Sequence, residues 1–122
     1  MKDQNNREYI KDYGYNAVQQ PDAVVLLVHG LGEHAGRYTG WAKQFNDTGI
    51  EMRSFDLPGH GLSGGRRGVV PPFDVLHDII DSKLESIAAD RPGIPLFLYG
   101  HSLGGGIVLD YLVRRKTSLT GA

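Results

Sequence analysis

A serine flanked by glycines lies between a buried strand and a helix, and this segment restricts the folds open to the chain. Gly100, Ser102 and Gly104 form a G-x-S-x-G pattern that follows the apolar run 96–99 and precedes helical spacing over 103–115. In such a strand–turn–helix elbow the serine adopts a strained backbone that projects its oxygen, and the glycines remove Cβ atoms that would clash. The pattern predicts Ser102 as a nucleophile. The alternative is a glycine-rich turn with an incidental serine.

Two further apolar runs and two further amphipathic segments extend this arrangement along the chain. Strands are predicted at 23–29, 50–55 and 96–99, and helices at 38–45, 73–91 and 103–115. In the last helix we expect four inward side chains, namely Ile107, Val108, Tyr111 and Leu112. Residues 1–22 predict one or two short edge strands, and a glycine- and proline-rich loop is expected over 56–72. Strands that alternate with amphipathic helices predict an α/β fold, a mainly parallel sheet with flanking helices.

The composition fits a soluble globular protein that needs many tight turns. Of the 122 residues 40% are hydrophobic, 22% are charged and 17 are glycines, which is twice the usual share of about 7%. The net charge of −1 does not favour nucleic acid as a partner, and the absence of cysteine excludes disulfides and thiolate metal sites. The N-terminus is polar and the longest apolar run has six residues, so no signal peptide or transmembrane segment is predicted. We therefore expect a cytoplasmic protein, and the sequence leaves transient contact with lipid surfaces open.

A histidine- and glycine-containing loop, 29–34, follows the first buried strand. Ester hydrolysis passes through an oxyanion that needs two preorganised donors, and backbone amides can supply both. The amide after the nucleophile belongs to Leu103, and this loop, with Gly30 at its start, offers the amide of Leu31. A metal site built on His29 and His34 is the alternative, but their spacing lacks the helical register of known zinc motifs and a third ligand is not evident. We expect His29 and Glu33 to hold the loop in place instead.

A glycine pattern in the long loop resembles a cofactor motif without its context. Residues 59–64 match G-x-G-x-x-G, yet a dinucleotide fingerprint opens directly into a helix, and here Arg66, Arg67 and two prolines intervene. A phosphate-binding P-loop is also excluded, because no Gly-Lys-Ser/Thr sequence occurs. We predict no cofactor and no metal, and we interpret the two arginines as solvated loop charges, with contact to a substrate headgroup as the alternative.

Three segments together resemble the monoacylglycerol lipase and lysophospholipase-like group of α/β-hydrolases. They read HGLGEHAGRY at 29–38, FDLPGHGLSGGRRG at 55–68 and YGHSLGG at 99–105, within a resemblance that covers about 23–116. The resemblance implies Ser102 as nucleophile and the amides of Leu31 and Leu103 as oxyanion hole. It also implies a serine carboxylic-ester hydrolase that cleaves monoacylglycerols, lysophospholipids or similar lipids through an acyl-serine intermediate without a cofactor. Close relatives often carry a polar or basic residue where this chain has Pro58.

The base and the acid that a serine nucleophile requires are not evident in the chain. The fold supplies them after the serine, in the order Asp or Glu and then His. After Ser102 there is one acid, Asp110, on the following helix, and no histidine; His101, beside the serine, should point elsewhere. We hypothesise that residues 1–122 are the N-terminal half of a single α/β-hydrolase domain and are inactive or nearly so alone, with 117–122 leading into a further strand. The alternatives are a non-catalytic module that associates with itself or a partner through its exposed sheet edge, and an acyltransferase with the same nucleophile.

Overall fold

The fold is a four-stranded sheet between helices, as seen in a computed structural model that describes residues 9–117 and 119–122. A short 3₁₀ turn, Ala35–Tyr38, precedes the first helix. The strands are β1 (Asp12–Tyr13), β2 (Ala23–Val28), β3 (Ile50–Phe55) and β4 (Leu96–Gly100), and the helices are α1 (Thr39–Asp47), α2 (Phe73–Asp90) and α3 (Leu103–Arg114). These bounds confirm the predicted strands and helices to within about a turn. Of the predicted N-terminal strands, β1 is present, and the part that falls on residues 1–8 lies outside the described residues.

The sheet has the order β1-β3-β2-β4, and only β1 runs antiparallel to its neighbour. Val28, the last residue of β2, lies opposite Phe55 in β3 and Gly100 in β4. Because these three parallel strands end at the same level, the three segments that follow them lie along one edge of the sheet. That edge carries the 29–34 loop, the 56–72 loop and the serine elbow.

The sheet has apolar residues on both faces, and the helices cover them unequally. Leu26 faces the larger core, which α2 and α3 close with Ile80, Ile107 and Tyr111 among others, whereas Leu27 faces the smaller core beneath α1. This placement confirms a mainly parallel sheet with flanking helices. In the part of the chain that the structure describes, none of the helices is both long enough and apolar enough to cross a membrane.

The outer edge of β4 is partly covered by the last residues of the chain. Thr120 donates its amide to the Leu96 carbonyl at 2.8 Å, and Leu98 donates to the Gly121 carbonyl at 3.1 Å, which forms a parallel bridge. Residues 120 and 121 therefore pair with β4, and their continuation into a further strand stays a prediction. Beside this edge lies an apolar groove of about 590 Å³ between β4, α1 and α3. Leu112 lines this groove and is 37% exposed, so the prediction that it points inward is wrong, because the described residues place nothing across the groove.

A buried carboxylate holds three segments together at the amino end of β3, opposite the end of the sheet that carries the serine elbow. Glu51 of β3 is fully buried and accepts hydrogen bonds from the Val18 amide at 3.0 Å, from Arg53 at 2.8 Å and from Arg91 at 2.8 Å. Burial raises the pKa of Glu51, but the hydrogen bonds from Arg91 and Arg53 outweigh burial, and the pKa lies below its ordinary value. The charge therefore fixes the N-terminal segment and the end of α2 to the sheet.

Replacing this carboxylate should weaken the fold and change its dependence on acid. We expect Glu51→Gln to lower the free energy of unfolding by about 2 kcal/mol, less than the ~3 to 5 kcal/mol for a fully buried pair, because both arginines are partly exposed. A lowered carboxylate pKa stabilises the fold above the unfolded pKa, and this contribution disappears as the pH falls through the folded value. Urea titrations at pH about 7 and about 4 should show a smaller acid sensitivity in the variant. Glu85→Gln on the exposed face of α2 is the control, and equal losses in both variants would contradict the assignment.

Candidate active site

Ser102 occupies the turn between β4 and α3 and has a strained backbone. Its φ of 58° and ψ of −121° are unusual for a residue with a side chain, and the residue is exposed. The predicted strand, turn and helix are all present, and α3 begins at the next residue, Leu103. The backbone thus presents the serine at the edge of the sheet where the three loops lie.

Glycines allow the turn to lie against the centre of the sheet. A Cβ atom on Gly104 would overlap the carbonyl oxygen of Val28, and a Cβ atom on Gly100 would overlap the carbonyl oxygen of Gly104. The first turn of α3 therefore packs directly on the end of β2. A side chain at Gly104 would force α3 away from β2, and one at Gly100 would force the first turn of α3 away from the end of β4.

The loop after β2 passes directly beside the serine. A Cβ atom on Gly30 would lie 3.0 Å from the Ser102 Cβ and 3.1 Å from the His101 carbonyl oxygen. Among the described residues no acceptor is bonded to the amide of Leu31 or to that of Leu103, the first residue of α3. The structure thus brings the two predicted loops together at Ser102 and leaves both amides without a partner in the described part of the chain. Their joint action as an oxyanion hole stays a prediction.

Glu33 joins the loop to the elbow. Its Oε2 accepts a hydrogen bond from the Gly30 amide at 2.6 Å and lies 3.1 Å from His101 Nδ1, and the Tyr38 hydroxyl lies 2.9 Å from each carboxylate oxygen. Burial raises the pKa of Glu33, but the hydrogen bonds from Gly30, Tyr38 and His101 outweigh burial, so the pKa is below its ordinary value. The side chain is 8% exposed. An ionised carboxylate therefore holds the loop in place, as predicted.

His29 is buried, and both of its ring nitrogens are occupied. The Leu57 amide donates to Nε2 at 2.9 Å, so Nδ1 carries the proton and donates to the Gly30 carbonyl at 2.8 Å. Burial lowers the pKa of His29, which favours the neutral ring. The ring links the loops after β2 and β3, as predicted, and offers no free nitrogen to a metal ion or to Ser102.

Asp56 connects three segments behind the loop and was not identified from the sequence. It is fully buried; Oδ1 accepts from the Ala35 amide at 2.7 Å, and Oδ2 accepts from the Tyr13 hydroxyl at 2.8 Å and the Leu62 amide at 2.9 Å. The sequence feature that could have identified Asp56 is its position directly after a buried strand, where an aspartate meets the amides of neighbouring turns. Asp56 therefore positions the 3₁₀ turn that follows the 29–34 loop.

The glycine pattern at 59–64 does not open into a helix, since α2 begins only at Phe73. The loop instead satisfies its own polar groups. Arg67 donates to the carbonyl oxygens of Gly61 at 2.9 Å and Gly65 at 3.3 Å and also contacts that of Ser63. Arg67 is exposed, as predicted for a solvated loop charge, and its guanidinium also binds carbonyl groups of its own loop.

The remaining acid and histidine candidates lie away from Ser102 or point elsewhere. Asp110 accepts a hydrogen bond from Arg114 at 2.9 Å and lies 3.0 Å from Nε2 of the buried His77, toward α2. His101 turns its Nδ1 to Glu33. Within residues 9–117 and 119–122, no histidine is hydrogen-bonded to the Ser102 side chain. The structure thus supplies a candidate nucleophile and candidate oxyanion donors without a base for the serine.

Comparisons with known proteins match most of this chain. The family model of serine aminopeptidase S33 matches residues 19–122. The chain is 39% identical to human monoglyceride lipase over 101 residues, which cover 83% of this chain and 33% of that protein. It is 45% identical to a monoacylglycerol lipase of Mycolicibacterium smegmatis over 96 residues, 77% of this chain and 34% of the relative. The crystal structure of a monoacylglycerol lipase from Paleococcus ferrophilus superposes with a TM-score of 0.74 at 39% identity, covering 94% of this chain and 41% of that one.

The chain spans about a third of the length of the human and mycobacterial relatives. The family match nevertheless extends over β2, β3 and β4 with all three helices, and it includes both segments that meet at Ser102. The chain belongs to the serine aminopeptidase S33 family of α/β-hydrolases.

Proposed function

We propose that residues 1–122 form the nucleophile-bearing N-terminal half of an α/β-hydrolase domain that cleaves carboxylic esters. The contact between Gly30 and Ser102 carries this proposal, because it places a strained, exposed serine beside a loop whose next amide has no partner in the described chain. The relatives named monoglyceride lipase favour monoacylglycerols as substrates, and the resemblance extends this class to lysophospholipids. Transient contact with a lipid surface would deliver such substrates.

In this mechanism the Ser102 oxygen attacks the ester carbonyl and the amides of Leu31 and Leu103 bind the oxyanion. The alcohol leaves with a proton, an acyl-serine forms, and water then hydrolyses it. A serine hydroxyl needs an adjacent base, which typically contributes about 10²- to 10⁴-fold to the rate. None of the described residues fills that role for Ser102, so we expect activity only when a further segment supplies a histidine and its acid. No cofactor enters any step.

A second candidate function is self-association, and the apolar groove beside β4 favours it. Leu109 of α3 is 65% exposed and lines the groove, and Val113 of the same helix is 79% exposed. Apolar surface beside an incompletely paired strand is typical of an interaction site. In this alternative the chain binds a second copy through the β4 edge, and Ser102 performs no chemistry.

Labelling with an organophosphonate tests the state of Ser102. We expect the isolated chain to react slowly, at about 10² times or more below a complete serine hydrolase, because no base activates the hydroxyl. Mass spectrometry should find any adduct on Ser102, and Ser102→Ala should remove it, whereas Ser82→Ala on the exposed face of α2 should not. Rapid stoichiometric labelling of the isolated chain would show that the base is already present.

Substitution of Gly30 tests the contact that carries the proposal. In Gly30→Ala the added methyl group would press on the Ser102 Cβ and on Glu33 Oε2, at 3.0 and 2.9 Å, and would displace the loop from the elbow. We expect the labelling rate to fall at least about tenfold, within the ~3 to 4 kcal/mol that an oxyanion donor contributes. Gly40→Ala is the matched control, since a Cβ atom there meets nothing within 4 Å. Equal labelling rates in the two variants would show that the position of the loop does not affect the reactivity of Ser102.

Complementation tests the need for a further segment. We expect co-expression with the part of the Mycolicibacterium smegmatis relative that follows its matched region to yield a complex that hydrolyses a monoacylglycerol. Ser102→Ala should abolish this activity without dissociating the complex. If sedimentation instead shows a dimer of this chain alone, and the added segment neither binds nor confers hydrolysis, self-association is the better account of the groove.

A further inference from the structure

We propose that Glu33 and His101 form a carboxylate–imidazole dyad, and that His101 Nε2 is a second nucleophile which cleaves activated aryl esters of short acids. This activity needs neither the hydroxyl of Ser102 nor the base that Ser102 lacks. It is distinct from the proposed lipid-ester hydrolysis and rests on a different atom.

The dyad consists of a buried carboxylate and an exposed imidazole. The side chain of Glu33 is 8% exposed and that of His101 is 55% exposed, with 3.1 Å between Oε2 and Nδ1. The Tyr38 hydroxyl lies 2.9 Å from both carboxylate oxygens and 3.2 Å from His101 Nδ1, so it keeps the two groups in one arrangement. All described hydrogen bonds of the ring involve Nδ1, so Nε2 has no hydrogen-bond partner among the described residues of this exposed side chain.

The protonation of the pair follows from its hydrogen bonds. Glu33 already accepts from the Gly30 amide and from Tyr38, and these donors favour an ionised carboxylate. An ionised carboxylate can only accept, so the proton between it and the neutral imidazole belongs to His101 Nδ1. Nε2 then carries the lone pair. A buried carboxylate that orients an imidazole in this tautomer is the arrangement that activates histidines in hydrolytic sites.

The other four histidines lack this arrangement. His29 uses both nitrogens within the fold, and His60 is 4% exposed with its Nδ1 against the Pro58 carbonyl. His77 is 2% exposed between α2 and α3. His34 is exposed, but no carboxylate among the described residues contacts its ring. His101 is therefore the histidine whose lone pair is both oriented and accessible.

An aromatic surface beside His101 suits an aryl ester. The ring of Tyr38 packs 6.4 Å from that of His101 and 6.0 Å from that of Trp41, measured between centroids. Trp41 is 47% exposed, and Leu31 on the adjacent loop is 62% exposed. An aryl group can therefore bury apolar area against these side chains while its acyl carbon approaches Nε2.

The reaction balances without a metal or cofactor. The Nε2 lone pair attacks the ester carbonyl carbon, the bond to the aryl oxygen breaks, and the aryloxide leaves with the electron pair. The Nδ1 proton passes toward Glu33 as the ring becomes acylated, which limits the charge on the imidazole. Water then attacks the acyl carbon and the bond from that carbon to Nε2 breaks, with the electron pair left on Nε2. Glu33 returns the proton to Nδ1, and the two protons of the water leave with the products, one on the carboxylic acid and one on the aryloxide.

The test measures hydrolysis of p-nitrophenyl acetate by the full 122-residue chain. His101→Gln should lower the rate at least about tenfold, as expected for loss of a positioned imidazole, while the matched control His34→Gln should match the unmodified chain. Rapid quenching and mass spectrometry should find the acetyl group on His101. Equal rates for the two variants, or an acetyl group found on Ser102, would overturn the dyad, and the latter result would at the same time support Ser102 as nucleophile.

Glu33 acts in this scheme as a positioning residue, and nitrogen NMR gives it a readout that folding alone does not move. In the unmodified chain the ¹⁵N shifts of His101 should report a proton on Nδ1. Glu33→Gln should remove this signature and lower the rate of ester cleavage, and Glu33→Asp should restore part of both. A variant that loses the Nδ1 signature but cleaves the ester at the full rate would show that the carboxylate has no part in the reaction.

Discussion

The close packing of the first turn of α3 on the carboxyl end of β2 is the constraint on which the candidate site depends. It is possible because Gly104 has no side chain to meet the carbonyl oxygen of Val28. This packing places the elbow against β2, the central strand. Gly30, in the loop that leaves β2, therefore lies in contact with Ser102. A methyl group at Gly104 would therefore separate the elbow from the loop even though Ser102 itself is unchanged.

Two carboxylates stabilise the loop that this packing brings to the serine. Asp56 holds its far end by bonding the Ala35 amide, and Glu33 holds its near end by bonding the Gly30 amide. Both are buried or nearly so and are satisfied by several donors, which is the condition under which a buried charge is tolerated. The loop is thus fixed by polar contacts, whereas the strands beneath it are fixed by apolar packing.

This division explains how much could be predicted from the sequence. The strand 50–55 and the start of α2 at Phe73 were predicted as the structure has them, because apolar runs and helical spacing reflect local burial. The strained conformation of Ser102 also follows from a local pattern. Asp56, by contrast, binds Tyr13 and Ala35, which lie 43 and 21 residues away along the chain. Leu112 is exposed because none of the described residues packs over it. Long-range pairing and missing neighbours leave no mark on a local pattern.

The difference between local patterns and long-range contacts also applies to the candidate site. The elbow directly follows β4, the 29–34 loop directly follows β2, and these two strands are neighbours in the sheet. The packing at Gly104 brings the elbow and the loop together. If Ser102 is the nucleophile, as proposed, its base would instead come from a segment outside the described residues. His101 makes its hydrogen bonds to Glu33 and Tyr38, and within the described residues it makes none to the Ser102 side chain. The contacts that fix the loop therefore also hold the His101 ring, and this supports the proposal that His101 reacts independently of Ser102.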